Sequence, residues 1–284
     1  MVRSGPVGAA LLARARFEVI PTSRVEEAVV TELPRGTTVT VTASPTKGLE
    51  ATVELAERLA GHGYRVVPHL AARSIVDEVQ LKEVVARLKD CGVDDVFVPA
   101  GDSDPPVGRY ESALEVLVAL EEMGRPFADV GITGYPETHP RISDDVTIQS
   151  MWDKRRHATY IVSNLCFDAR VIRRWIARVR ARGVTLPLYV GVAGPVDRTR
   201  LLDVATKIGV GESARFLTRH AEWFLRLGAP GGYDPNRLLR RLEGAFADPA
   251  SRVAGLHVFT FNQLRRTEEW RRSLVGAKDA AETS

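Results

Sequence analysis

Cysteine is nearly missing from this chain of 284 residues: Cys91 and Cys166 are the only two, and they form no C-x-x-C pair. That excludes a disulfide framework, argues against a zinc site and suits a reducing cytoplasm. No apolar stretch reaches the ~20 residues that a membrane-spanning helix needs. Long basic runs are absent as well. Only six of the 39 basic residues are lysines, and 36 acidic residues leave a net charge of +3, so there is no electrostatic footprint for nucleic acid. The opening segment MVRSGPVGAALLARA resembles a secretory leader only loosely, because Gly and Pro break its apolar run and Arg14 and Arg16 interrupt it. It is expected to be disordered over 1–14, as is the tail over 276–284, in a single cytoplasmic domain spanning 1–284.

What is present is alternation. Eight short segments rich in β-branched residues read as strands: Arg16–Pro21, Thr37–Ser44, Tyr64–Leu70, Asp94–Gly101, Ala128–Tyr135, Thr159–Phe167, Pro187–Gly194 and Gly255–Asn262. Between them lie helical patterns. TKGLEATVELAERLAGHG puts Leu49, Val53, Ala56 and Leu59 on one face. SIVDEVQLKEVVARLKDCG does so with Ile75, Val79, Val84 and Leu88, and DARVIRRWIARVRARG with Ile172, Trp175, Ile176 and Val179. Eight strands with helices between them predict a parallel sheet closed as a (β/α)8 TIM barrel. Three further helices are expected before the eighth strand, in LLDVATKIG, ESARFLTRHAEWFLRLG and DPNRLLRRLEGAFADP. The alternative, an open doubly wound sheet, usually carries a glycine-rich phosphate fingerprint after its first strand, and FEVIPTSR has none.

In such a barrel, chemistry sits at the C-terminal ends of the strands. Those ends carry Glu18, His69, Asp102, Tyr135 with His139, Asn164, Asp168, Phe259 and Phe261. Two prolines stiffen the segment GITGYPETHP, which holds Tyr135, Glu137 and His139 just past a strand. Glu18 alternates with Phe17 and Val19, so it points into the barrel if they point outward. A carboxyl among apolar neighbours is expected to hold a proton near neutrality and to act as an acid; the plainer alternative is an ion pair with an arginine. Asp102 can accept a forked pair of hydrogen bonds or cap a turn, and Asn164 can donate and accept at one ligand edge. His257, inside GLHVF, reads as structural.

These residues resemble the methylenetetrahydrofolate reductase family. FEVIP is similar to its Phe-Glu-Phe-x-Pro opening, VFVPAGD to a strand ending in Gly-Asp, and GITGYPETHP to its Tyr-Pro-Glu-x-His-Pro. YIVSNLCFD is similar to Gln-(Phe/Leu)-Phe-Phe-Asp, and GLHVFTFN to Gly-x-His-x-Tyr-Thr-x-Asn. The matches keep one order from about residue 16 to 263. The resemblance implies a TIM barrel that reduces 5,10-methylenetetrahydrofolate with a nicotinamide reductant, NADH or NADPH. It makes Glu18 the catalytic acid and Asp102 and Asn164 the contacts to the folate. It marks His69, Tyr135, His139, Lys154 and Phe259 for cofactor contact.

The departures concern flavin. The family's arginine before Gly-Asp, which helps hold flavin phosphate, is Ala100 here. Its lysine- and arginine-bearing helix before the sixth strand, followed by Ala-Gly-Ala, reads SMWDKRRHATY, where Lys154 and Arg155 are the candidate substitutes and Lys154, Arg155 and Arg156 together are the cations from which a phosphate site could be rebuilt. The expectation is direct hydride transfer from NADH without tightly bound FAD. The alternatives are a flavin-dependent reductase of the same substrate, a non-catalytic folate-binding barrel, and an unrelated lyase or aldolase barrel. Oligomeric state is not legible.

Overall fold

The computed structural model describes residues 5–44, 46–137, 144–196 and 234–282. Its strands are β1 Arg16–Val19, β2 Thr38–Val41, β3 Arg65–Pro68, β4 Asp95–Phe97, β5 Asp129–Gly134, β6 Tyr160–Ser163, β7 Leu188–Ala193 and β8 Val253–Phe259. Its α-helices are α1 Pro6–Ala13, α2 Val25–Glu32, α3 Gly48–Gly61, α4 Glu78–Asp90, α5 Ala113–Glu122, α6 Asp144–Lys154, α7 Ala169–Ala181, α8 Pro235–Ala247 and α9 Leu264–Glu282.

The eight strands form one sheet in the order β3-β2-β1-β8-β7-β6-β5-β4. All of the paired neighbours are parallel. The two end strands meet through a parallel bridge between His69 and Phe97, where the Leu70 N–H donates to the Phe97 carbonyl at 2.8 Å. The sheet therefore closes as the expected (β/α)8 barrel. Helix starts are fixed by side chains: Asp77 caps α4 by accepting from the Gln80 N–H, and Asp168 caps α7 by accepting from the Arg170 N–H. Helix α7 buries Ile172, Trp175, Ile176 and Val179, leaving most of its arginines on the outer face.

Phe17, Val19, Val39 and Val41 are fully buried in the main core with the helices. The barrel interior is partly polar at its lower end. The Arg16 guanidinium lies 4.2 Å from the centre of the Tyr160 ring and 3.9 Å from that of Tyr189. It pairs with Asp95 at 3.0 Å, and the Tyr160 hydroxyl donates to the same carboxylate at 2.7 Å. Two glycines make room for these rings. A Cβ on Gly131 would lie 2.3 Å from the Tyr160 ring, and one on Gly255 would lie 2.6 Å from that of Tyr189.

Two sequence expectations change. Residues 6–13, expected to be disordered, form α1, which buries Leu11 and Leu12. Val79, expected on the inner face of its helix, is 73% exposed, because α4 buries Leu81, Val84, Val85 and Leu88 instead. Of the three helices expected before β8, the third forms α8, and the first two lie outside the described residues. No helix among the described residues is long and apolar enough to cross a membrane.

Candidate active site

Glu18 belongs to the inward set of β1, as its alternation with the buried Phe17 and Val19 predicts. Its side chain is 14% exposed, and its Oε2 lies 2.9 Å from Nε2 of His257. His257 is 2% exposed, and its Nδ1 finds no hydrogen-bond partner among the described residues. On the other side, Nε2 of His69 lies 3.9 Å from the same carboxylate oxygen and likewise finds no hydrogen-bond partner among the described residues. Burial pushes the His69 pKa down to about 4, against the pull of Glu18 and with the help of His257, so the ring is neutral at neutral pH. Phe97 packs against His69 with ring centres 4.7 Å apart, and Phe259 against His257 at 4.9 Å.

The segment after β8 locks the backbone of β1. The Thr260 hydroxyl donates to the Glu18 carbonyl at 2.5 Å. Asn262 accepts from the Ile20 N–H at 2.8 Å and donates to the Ile20 carbonyl at 2.9 Å. Phe261 and Asn262 adopt positive φ of 50° and 58°, a left-handed geometry that side chains seldom take and that turns the chain back over β1.

The other sequence candidates divide by position. Asn164 follows β6 directly; its side chain is exposed and accepts from the Leu165 N–H at 2.8 Å. Asp102, also exposed, lies beyond β4. Tyr135 follows β5, and burial, then the nearby Asp102 charge, raises its pKa. The Cys166 thiol donates to Glu137 at 3.5 Å, joining the loops after β5 and β6. Phe259 shares a small apolar cluster with Leu165, Phe167, Ala193 and Phe261. Glu18, His69, Asp102, Tyr135, Asn164 and Phe259 thus all stand at the strand C-terminal end of the barrel. His139 lies outside the described residues.

Lys154 does not join them. It closes α6, and helices between parallel strands run antiparallel to them, so it sits toward the end where strands begin. Burial pushes its pKa down, against the pull of Asp153. Its neighbour Arg155 stacks on Trp152 at 3.4 Å, and a Cβ on Gly183, past the end of α7, would lie 3.0 Å from that same indole. Ala100 brings no cation, and its carbonyl already accepts from the Arg73 N–H at 2.9 Å. Among the described residues, the positions that the resemblance marks for flavin phosphate therefore do not fit that group. No cluster of metal-ligating side chains occurs among the described residues.

Two residues escaped the sequence reading. His257, read as structural, lies 2.9 Å from Glu18, flanked by Leu256 and Val258, both 0% exposed. Arg16, two residues below Glu18 on the same strand face, went unassigned as the charge that fills the barrel floor.

The sequence model for methylenetetrahydrofolate reductase matches residues 21–210. Methylenetetrahydrofolate reductase 2 of Saccharomyces cerevisiae is 27% identical over 93 residues, covering 31% of this chain and 15% of the yeast protein. The match therefore spans well under two thirds of that relative. Among solved structures, oxaloacetate acetylhydrolase covers 85% of this chain and 97% of its own at 14% identity, with a TM-score of 0.46. The 7,8-dihydropteroate synthase of Vibrio fischeri ES114 covers 94% and 95% at 14% identity, with a TM-score of 0.41. Likeness at that level carries no functional weight. With residues 21–210 of its 284 matched, the chain belongs to the methylenetetrahydrofolate reductase family.

Proposed function

We propose that this protein reduces 5,10-methylenetetrahydrofolate to 5-methyltetrahydrofolate by direct hydride transfer from NADH, as one cytoplasmic barrel domain. Glu18 donates a proton to a ring nitrogen of the folate, which opens the five-membered ring to an iminium. Hydride from the dihydronicotinamide adds to the iminium carbon and makes the methyl group, and the oxidised nicotinamide leaves. One proton and one hydride are consumed, so the step balances without a further carrier. Asp102 accepts the paired N–H groups of the pterin, and Asn164 donates and accepts along the same edge. Tyr135 and the apolar cluster around Phe259 offer ring surfaces for the nicotinamide.

The observation that carries this reading is Glu18: a carboxyl directed inward at the catalytic end of β1, 14% exposed and held by His257. An inward carboxyl is costly without a role, and binding alone does not need an acid. Direct transfer is favoured over a flavin carrier because Ala100, Lys154 and Arg155 make no phosphate grip beside the site. A dihydronicotinamide within about 3–3.5 Å of the iminium is chemically sufficient.

The test is an absorbance spectrum of purified protein followed by anaerobic assay with methylenetetrahydrofolate and 4-deuterated NADH. A colourless protein that moves deuterium into the product methyl group is expected. Flavin absorbance near one per chain, or activity only after adding flavin, would overturn direct transfer. Folate binding with no NADH or NADPH oxidation would favour the non-catalytic barrel.

A further inference from the structure

We propose that the acid is a coupled pair, in which His257 fixes Oε2 of Glu18 and shares the proton that Glu18 delivers. This rests on the reductase reading for its chemistry and on geometry for its existence. A buried structural histidine normally satisfies both ring nitrogens with carbonyls or hydroxyls. Among the described residues, Nδ1 of His257 finds no hydrogen-bond partner, and Nε2 spends its contact, 2.9 Å, on Glu18. That distance holds one proton between the two heavy atoms, either as Nε2–H facing a carboxylate or as a carboxyl O–H facing bare Nε2. Moving between these forms changes no heavy-atom position. The O–H form gives the shared proton to the folate, and one proton taken up from solvent restores the pair.

The surroundings isolate this pair. Among the described residues, the other charged or titratable groups that strand alternation puts on the inner face are Arg16 on β1, Arg65 on β3 with His69 just after it, Asp95 on β4, Asp129 on β5, Tyr160 on β6 and Tyr189 on β7. Arg16 and Asp95 compensate each other at 3.0 Å, below the pair. Tyr160 donates to Asp95, and Tyr189 stacks on Arg16. His69 faces Glu18 from the other side at 3.9 Å and is neutral at neutral pH. β2 adds Thr38 and Thr40, and β5 adds Thr133 above Asp129, whose charge acts on Asp95 at the lower rim. Backbone placement is independent of His257, because Thr260 and Asn262 fix the β1 end. His257 is therefore a positioning and proton-sharing residue that does not itself touch the folate.

Two measurements on the full chain test this. His257→Gln preserves a donor near Nε2 but cannot titrate. Its turnover is expected to fall by about tenfold or more, with KM for folate within about threefold and the pH of half-maximal kcat displaced. Separately, the imidazole nitrogen resonances of His257, titrated without substrate, should shift their midpoint when Glu18→Gln is introduced. A His257→Gln profile that superimposes on wild type, or a His257 titration indifferent to Glu18→Gln, overturns the proposal. Should the wild-type protein oxidise no NADH with methylenetetrahydrofolate, the reductase reading fails, and the resonance titration still decides the coupling. It also decides it if His257→Gln does not fold.

Discussion

Replacing Glu18 with Gln keeps the side-chain length and leaves an amide within reach of His257, but it removes the transferable proton. Turnover should fall by about 10²–10⁴-fold, the usual worth of a positioned general acid, while calorimetry still detects folate binding. A variant within a few-fold of wild-type kcat would take Glu18 out of the mechanism. Asp102→Ala should act differently. Asp102 is exposed, so its loss costs the fold little; KM for folate should rise with a smaller change for NADH. Unchanged folate affinity would return Asp102 to the turn that contains it. Legibility at this scale followed sequence distance. Glu18 could be read from its two buried neighbours, Phe17 and Val19, both 0% exposed. Its partner could not, because His257 lies 239 residues away and only the pairing of β8 with β1 brings the two together.

Elements were legible where composition and period agree. β-Branched runs marked every strand of the barrel to within a few residues, since parallel strands buried on both faces need them. α1 failed for a physical reason: PVGAALLA is small and apolar with no polar face, and its stability comes from packing on α8 and α9. Its N-terminus is completed from elsewhere. Glu243 of α8 accepts from the Val7 N–H at 2.7 Å and the Gly8 N–H at 3.1 Å, placing a carboxylate at the positive end of the helix. Glu243→Ala should therefore cost about 1–2 kcal/mol in urea unfolding and strip hydrogen-exchange protection from Val7 and Gly8 first. Protection that survives the substitution would mean that α1 is held by packing alone. Lys154 was misplaced at this same scale: its charge was evident, but the direction of α6 carries it away from the strand ends that the site uses.

At the scale of the whole barrel, two buried groups work against each other as pH changes. Burial raises the Asp95 pKa from 3.8 to about 6, despite Arg16 and the Tyr160 hydroxyl. The folded state therefore binds this proton more tightly than the unfolded chain, and the contribution of Asp95 to stability is lost as pH rises from about 4 to 6. His69 has the opposite sign. Its folded pKa is lowered from 6.5 to about 4, so the unfolded chain takes up the proton first and stability is lost as pH falls through that window. Each shift is of order 3 kcal/mol at roughly 1.4 kcal/mol per unit, so in the wild-type protein the two slopes largely offset. Single substitutions should uncover them. Asp95→Asn leaves His69 unopposed, and its stability relative to wild type should decline as pH drops from 6.5 to 4.5. His69→Gln leaves Asp95 unopposed, and its relative stability should decline as pH rises across the same range. Urea unfolding of the three proteins at pH 4.5, 5.5, 6.5 and 7.5 reads both slopes, and the surface carboxylates common to all three cancel in the differences. Parallel curves would show that neither group titrates inside the barrel as its burial requires. Opposed curves would show that the same water-poor interior that keeps His69 neutral beside Glu18 also governs the Arg16–Asp95 pair beneath it.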